Sequence, residues 1–170
     1  GVTMDYVVAN PSSYVWPNTL RPLPTGDARP QAARVTYDVD EPHANFTFGT
    51  VTAEDCPHYD RWPLGLDGRR GCVAQGARDT PARQLASRHT VYLLAESDTL
   101  PVAGLDRACA AMPQGAPRRA RGVVFVAYLR QHWGARLDAH TVQNCRHNAR
   151  CMFIFDEALP RLFFASAGTS

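Results

Sequence analysis

The sequence contains no lysine, since all 18 basic residues of this 170-residue chain are arginine. Isoleucine is almost absent as well and occurs once, at Ile154. A GC-rich genome favours arginine codons and produces this pattern. Selection against lysine also produces it, as in toxins that must escape ubiquitination inside a host cell. We expect a GC-rich bacterial or viral pathogen as the source.

Long hydrophobic runs are also missing, and no apolar stretch approaches the ~20 residues that a membrane span requires. The formal net charge of +2 is too small to indicate a nucleic-acid partner. There is no glycine-rich phosphate loop, no GxSxG turn and no paired-carboxylate signature. We therefore expect no membrane span, no nucleic-acid binding and no cofactor.

The cysteines follow neither CxxC nor zinc-finger spacing, which argues against a structural zinc site. Five cysteines leave at least one thiol free if disulfides form. The local pairs Cys56/Cys72 and Cys145/Cys151 each bracket a polar segment that a disulfide would tether, so these are the expected bonds. Asn45 begins a glycosylation acceptor triplet. These features predict a secreted or surface-exposed protein; the alternative is a cytosolic protein with five buried thiols.

Three short apolar runs, 122–129, 151–156 and 161–166, are rich in Val and Phe, which is typical of buried strands. We expect Phe125, Tyr128, Phe153, Phe155 and Phe163 in the core. Residues 2–9, 34–40, 45–52 and 89–96 have the composition or alternation of further strands.

Helices are predicted at 80–87, where Thr80-Pro81 is a helix-start signal, at 100–112 and, weakly, at 136–142. The predicted fold class is α+β, a mainly antiparallel β-sheet with two or three short helices and two long Pro-rich loops. We expect a single domain over residues 1–170, in which residues 1–33 form an extended N-terminal arm.

Aromatic and basic side chains in the predicted loops are the candidate binding residues, because loops carry recognition and Trp, Tyr and Arg often dominate binding energy. They are Tyr14, Trp16, Trp62, Arg118, Arg119 and Arg121. The leading interpretation is that the domain binds another macromolecule, a host or partner protein. The alternative is that the tryptophans only pack their loops onto the sheet.

Cys72 and His89 are the candidate catalytic residues of a competing, enzymatic interpretation. Cys72 follows Gly71 in a turn, and His89 opens a predicted strand, so the imidazole is a possible base for the thiol. This arrangement resembles the toxin deamidases related to cytotoxic necrotizing factor. The resemblance implies a small effector or toxin domain that acts on glutamine or as a hydrolase. The other reading makes Cys72 a disulfide partner.

Three histidines, His132, His140 and His147, lie near Asp138 and Cys145 in the sequence. Their spacing matches no HExxH or comparable metal motif. We therefore expect no metal site here and interpret the histidines as solvent-exposed.

Overall fold

The computed structural model describes residues 4–24, 46–52, 54, 56–100 and 104–154. Within these ranges the strands and helices are β1 Tyr6–Ala9, β2 Leu20–Pro24, β3 Phe46–Thr50, α1 Thr80–Ser87, β4 Thr90–Ala95, α2 Arg118–Trp133, β5 Leu137–Val142 and α3 Ala149–Ile154. Short 3-10 turns occur at Gly71–Ala74 and Met112–Gln114.

The main sheet is parallel, with strand order β1-β4-β5. The prediction of a mainly antiparallel sheet is therefore wrong. Among the described strands, only β2 and β3 pair in the antiparallel sense, in a separate two-stranded sheet. The apolar pattern of a strand does not reveal its direction, which the connections decide: α1 precedes β4, and α2 carries the chain from β4 to β5. The fold is mixed α and β.

β4 is the centre of the fold, and all six of its residues are buried. It pairs with β1 from Tyr6↔Thr90 to Ala9↔Leu93 and with β5 from Thr90↔Leu137 to Ala95↔Val142. A parallel strand covered on both faces has a continuous apolar sequence, and the stretch 91–95 fits this rule. The prediction of a strand at 89–96 agrees with β4, and the helix predicted at 80–87 agrees with α1.

The predicted central strand at 122–129 is wrong, because this stretch lies inside α2. Every residue from Ala120 to Leu129 is buried, so the helix shows no polar stripe and its sequence resembles a buried strand. Gly134, at φ 57°, follows α2 in the left-handed conformation that commonly ends helices. Gly122 allows close packing, because a Cβ there would overlap Leu94 of β4 and approach the Tyr14 hydroxyl to 2.9 Å.

Three other predicted segments differ from the structure. Residues 151–154, predicted as a strand, belong to α3, and residues 137–142, weakly predicted as a helix, form β5. The predicted helix at 100–112 is not formed over 104–111, where Gly104 has φ 78° and the chain makes turns. These runs are short, and a short apolar run does not distinguish strand from helix by its period.

Several predictions fall on residues that the structure does not describe. The strands at 34–40 and 161–166, the core positions Phe155 and Phe163 and the glycosylation site at Asn45 lie outside the described residues. The organisation of residues 1–170 as one domain also stays a prediction. Within the predicted N-terminal arm, residues 20–24 form β2 and pair with β3.

An aromatic cluster joins the N-terminal arm to α2. Trp16 is fully buried, and its ring centroid lies 4.5 Å from that of Tyr128, while Tyr14 stacks on Phe125 at 4.4 Å. Phe125 and Tyr128 are buried as predicted, but the prediction for Phe153 is wrong, since its side chain is 38% exposed. Such aromatic pairs contribute about 0.5–1.5 kcal/mol beyond their buried area. Tyr14 and Trp16 of the arm are therefore part of the core.

Arg21 is fully buried between two aromatic rings. Its guanidinium carbon lies 5.0 Å from the ring centroids of Trp16 and Tyr59, and Nη2 lies 3.4 Å from Oδ1 of Asp60. Nη1 donates hydrogen bonds to the carbonyl oxygens of Asn18 and Leu20. Burial lowers the pKa of Arg21, and the negative charge of Asp60 opposes this shift. The side chain thus ties β2 to the loop around residue 60.

Two disulfides are present, Cys56–Cys109 and Cys145–Cys151. The second is the local pair expected from the sequence. The predicted pair Cys56/Cys72 is corrected, because Cys56 bonds Cys109 and Cys72 is a free, exposed thiol. Sequence proximity favoured Cys72, whereas the fold brings the segment before α2 beside the loop that contains Cys56.

The two disulfides should differ in their effect on stability. The loop closed by Cys56–Cys109 spans 53 residues and that closed by Cys145–Cys151 spans 6. Chain entropy predicts a loss of about 4 kcal/mol in the free energy of unfolding for Cys56→Ser/Cys109→Ser, and about 2 kcal/mol for Cys145→Ser/Cys151→Ser. Urea unfolding of both double variants measures this, and the reverse order would contradict it.

Alkaline pH should destabilise the protein. Burial raises the pKa of Tyr14, Tyr92 and Tyr128, the last to about 12. The unfolded chain ionises these groups near pH 10, so it binds fewer protons than the folded protein above that pH. The free energy of unfolding therefore falls as the pH rises from 10 towards 12. Burial lowers the pKa of Arg121 to about 10 and lowers the pKa of Arg21 as well, so these two groups act in the opposite sense but are outnumbered by the three tyrosines.

Tyr128→Phe tests this expectation. Without the phenol, the loss of unfolding free energy between pH 10 and 12 should be smaller by about 2 kcal/mol than in the wild type. Urea unfolding of the wild type and the variant across this range gives both slopes. Equal slopes would show that Tyr128 does not contribute.

Candidate functional site

The carboxyl ends of the parallel strands meet at one edge of the sheet, which is where open α/β sheets usually bind ligands. Asn10 follows β1, Asp98 lies three residues after β4, and His147 lies five residues after β5. Arg118, the first residue of α2, approaches the same edge. We call these four residues the carboxyl-edge cluster.

Asp98 is the hub of the carboxyl-edge cluster. Its side chain is 2% exposed, and Oδ2 accepts a hydrogen bond of 2.6 Å from Nδ2 of Asn10. Oδ1 lies 3.6 Å from Nη1 of Arg118, whose side chain is 1% exposed. Asn10 has φ 44°, in the left-handed region that asparagine tolerates better than most residues. A buried carboxylate is thus held by a cation and an amide, which fix its direction.

His147 lies on the solvent side of Asp98. Nδ1 of His147 is 3.6 Å from Oδ2 of Asp98, and the histidine side chain is 50% exposed. In the neutral ring a carboxylate facing Nδ1 favours the tautomer with the proton on Nδ1. Nε2, on the far side of the ring, then carries the free lone pair. A base of this kind can take a proton from a group that approaches from solvent.

The loop that presents His147 is fixed next to the end of β4. The N–H of Asn144 donates to Oε2 of Glu96 at 2.8 Å, and the carbonyl of Cys145 accepts from the N–H of Ser97 at 2.9 Å. Beyond His147, Oδ1 of Asn148 accepts the N–H of Cys151 at 3.0 Å, in the manner of a helix N-cap for α3. The loops after β4 and β5 are therefore joined just before His147, whereas the bond beyond His147 only shapes the second loop.

Charge in the cluster is closely balanced. Nε and Nη1 of Arg118 are buried and make no hydrogen bond, so Asp98 is the main compensation for the buried guanidinium. Oδ1 of Asn10 is also buried without a partner. A buried ion that loses its only counter-ion is strongly unfavourable. Asp98 is therefore needed for folding as well as for any chemistry at this edge.

Asp98→Ala should destabilise the protein by about 3–5 kcal/mol, because it leaves Arg118 buried and uncompensated. The double variant Asp98→Ala/Arg118→Met should recover part of this loss, since the buried charge is then removed as well. Chemical unfolding of the two variants measures the difference. No recovery in the double variant would mean that Arg118 does not depend on Asp98.

The predicted catalytic residues Cys72 and His89 are not joined by a hydrogen bond. Cys72 lies in the exposed turn Gly71–Ala74, whereas His89 precedes β4 at the opposite, amino edge of the sheet. Both ring nitrogens of His89 face carboxylates, with Nδ1 3.1 Å from Asp5 and Nε2 3.2 Å from Asp138. This histidine is placed to bridge β1 and β5 and not to activate the thiol.

Four of the six predicted binding residues are buried, namely Tyr14, Trp16, Arg118 and Arg121. Arg121 donates to the carbonyl oxygens of Ser12, Asp106 and Gly115 at 2.7–2.9 Å. These four side chains expose little or no surface in this conformation, so their burial gives the predicted loop interface no support. Trp62 and Arg119 are partly exposed, and for them it stays a prediction.

Asp98 carries no local sequence signal, and the spacing of His147 gives it no role beyond a rejected metal site. In the described part of the chain, no group of three His, Cys, Asp or Glu side chains is arranged to hold a metal ion. The sequence signal for this site is a polar residue shortly after each of two neighbouring strands, Asp98 after β4 and His147 after β5. It was lost because β5 had been interpreted as a helix and the strand direction as antiparallel.

The two disulfides are consistent with an extracellular location. Among the described residues, no helix has the length and apolar character of a membrane span. In comparisons with known proteins, no family model, no curated protein and no solved structure matches this chain.

Proposed function

We propose that the protein is an extracellular hydrolase in which His147 is the general base and Asp98 is the acid that orients it. The observation that carries this proposal is the contact between a buried carboxylate and Nδ1 of a half-exposed imidazole, 3.6 Å apart. Hydrogen bonds at catalytic centres are often long before substrate binds. The surrounding Asn10 and Arg118 hold the carboxylate in place.

The chemistry of this pair is proton transfer. Nε2 of His147 takes the proton from an attacking O–H group, and the resulting imidazolium is stabilised by the Asp98 carboxylate, which stays ionised. The imidazolium then gives the proton to the leaving group of an ester or amide. The attacking group is a water molecule or a serine hydroxyl, and the test below distinguishes them.

The order of the two residues along the chain supports the same reading. In α/β-hydrolases the acid precedes the histidine, and the catalytic groups lie at the top of a sheet. Asp98 and His147 have this order and lie beyond the carboxyl ends of adjacent parallel strands. The likeness is one of arrangement, which supports a reaction class and not a substrate.

Alternative functions have less support in the structure. A macromolecule-binding role was based on six loop residues, four of which are buried. A Cys72–His89 nucleophilic site would need the two side chains together, and His89 contacts Asp5 and Asp138 instead. The carboxyl-edge cluster is the arrangement in which a buried carboxylate, its counter-ion and a half-exposed imidazole lie together at the carboxyl edge of the sheet.

Hydrolysis of p-nitrophenyl esters by the intact natural protein tests the proposal. His147→Gln should lower the rate by about 100-fold or more, and Asp98→Asn should lower it as well, because a neutral amide no longer stabilises the imidazolium. His58→Gln is the matched control, since His58 is an exposed histidine outside the cluster. It should leave the rate unchanged.

A fluorophosphonate probe identifies the attacking group. Covalent labelling of a serine that disappears in His147→Gln indicates a serine nucleophile, whereas hydrolysis without labelling indicates water. If His147→Gln hydrolyses esters as fast as the wild type, His147 is not the base and the proposal fails.

A further inference from the structure

We infer that the Cys145–Cys151 disulfide positions His147 and makes the hydrolytic site sensitive to reduction. This inference rests on the proposed function, because it concerns the same histidine. The bond closes a loop of 6 residues, and His147 lies inside that loop. The covalent link is therefore placed to control the base directly.

The two cysteines attach the loop to different parts of the structure. Cys145 is fully buried in a cluster with Val91 and Leu93 of β4, close to the end of the sheet. Cys151 lies in the first turn of α3 and is partly exposed. The disulfide thus fixes the start of α3 to the end of the sheet, and His147 is held between them.

Besides the hydrogen bond from Asn144 to Glu96, few other contacts among the described residues keep this geometry. Cys145 is attached to the loop after β4 by the backbone hydrogen bond with Ser97. The bond from Cys151 to Asn148 lies within the loop, so it shapes the loop without attaching it to the sheet. Met152 of α3 is buried in the core and still anchors the helix after reduction. Reduction should therefore loosen the loop without unfolding the protein.

Catalysis is more sensitive to such loosening than stability is. A displacement of about 1 Å at a catalytic group lowers rates by around 100-fold. The Nδ1–Oδ2 distance between His147 and Asp98 is already 3.6 Å, so a small outward movement of the loop removes the contact. The imidazole then loses the group that sets its tautomer.

The reducing partner is a dithiol. Its thiolate attacks Sγ of Cys151, the more accessible sulfur, and forms a mixed disulfide while Cys145 leaves as a thiolate. The second thiol of the reagent then attacks the mixed disulfide, which releases the Cys151 thiolate and the oxidised reagent. Two electrons pass from the dithiol to the protein disulfide, and reoxidation reverses the step.

The second disulfide supplies a control within the same chain. Cys56–Cys109 joins segments 53 residues apart and does not bracket His147. Its removal should lower the melting temperature more than removal of Cys145–Cys151, because the loop it closes is longer. The rate of hydrolysis should instead fall more when Cys145–Cys151 is removed than when Cys56–Cys109 is removed. A general loss of stability would lower the rate most in the less stable variant, so it does not produce this result.

The experiment uses the intact natural protein, Cys145→Ser/Cys151→Ser and Cys56→Ser/Cys109→Ser. Ester hydrolysis, melting temperature and the ¹⁵N chemical shifts of the His147 ring are measured for each. Cys145→Ser/Cys151→Ser should lose at least tenfold in rate and the Nδ1–H tautomer signature, with circular dichroism unchanged. Dithiothreitol should do the same to Cys56→Ser/Cys109→Ser, and reoxidation should restore both readouts.

The two proposals fail in different ways. If Cys145→Ser/Cys151→Ser keeps its rate and its His147 tautomer while His147→Gln is inactive, the disulfide does not position the base and this inference is overturned. If His147→Gln is as active as the wild type, the hydrolase proposal fails. In that case, the ¹⁵N chemical shifts of the His147 ring, compared with and without the disulfide, still show whether the disulfide positions His147.

Discussion

Parallel pairing of β4 with both neighbours is the constraint on which the rest of the structure depends. Because β1, β4 and β5 run in one direction, the loops that follow them meet at one edge. That edge collects Asn10, Asp98 and His147 from positions far apart in the sequence. The helix α2 connects β4 to β5 and brings Arg118 to the same place. The candidate site is a consequence of strand direction.

The sequence predicts local features that have their own chemical signal. The Thr80-Pro81 start of α1 and the apolar run of β4 are of this kind, and both predictions agree with the structure. The buried helix α2 was mistaken for a strand because burial on all sides removes the polar stripe that identifies a helix. Strand direction was not predictable from alternation, since it depends on the connections between strands.

The candidate site shows the same division between local and long-range information. The Cys145–Cys151 bond spans 6 residues and follows from proximity in the sequence, whereas the Cys56–Cys109 bond spans 53 and depends on the fold. Asp98 becomes significant only when a parallel sheet places it below His147. Tyr14 and Trp16 were plausible contact residues as loop aromatics, but the loop that carries them is part of the core.

Among the described residues three arginines are buried, Arg21, Arg118 and Arg121, and they give the lysine-free composition a second meaning. Arg21 and Arg121 each donate to several carbonyl oxygens at once, through a planar guanidinium that an ammonium group does not reproduce. At exposed positions codon usage can decide between arginine and lysine without a cost in stability, because water solvates either side chain. At these two positions an arginine-to-lysine change leaves carbonyl groups without donors, so the choice of arginine there is a requirement of folding whatever the genome prefers.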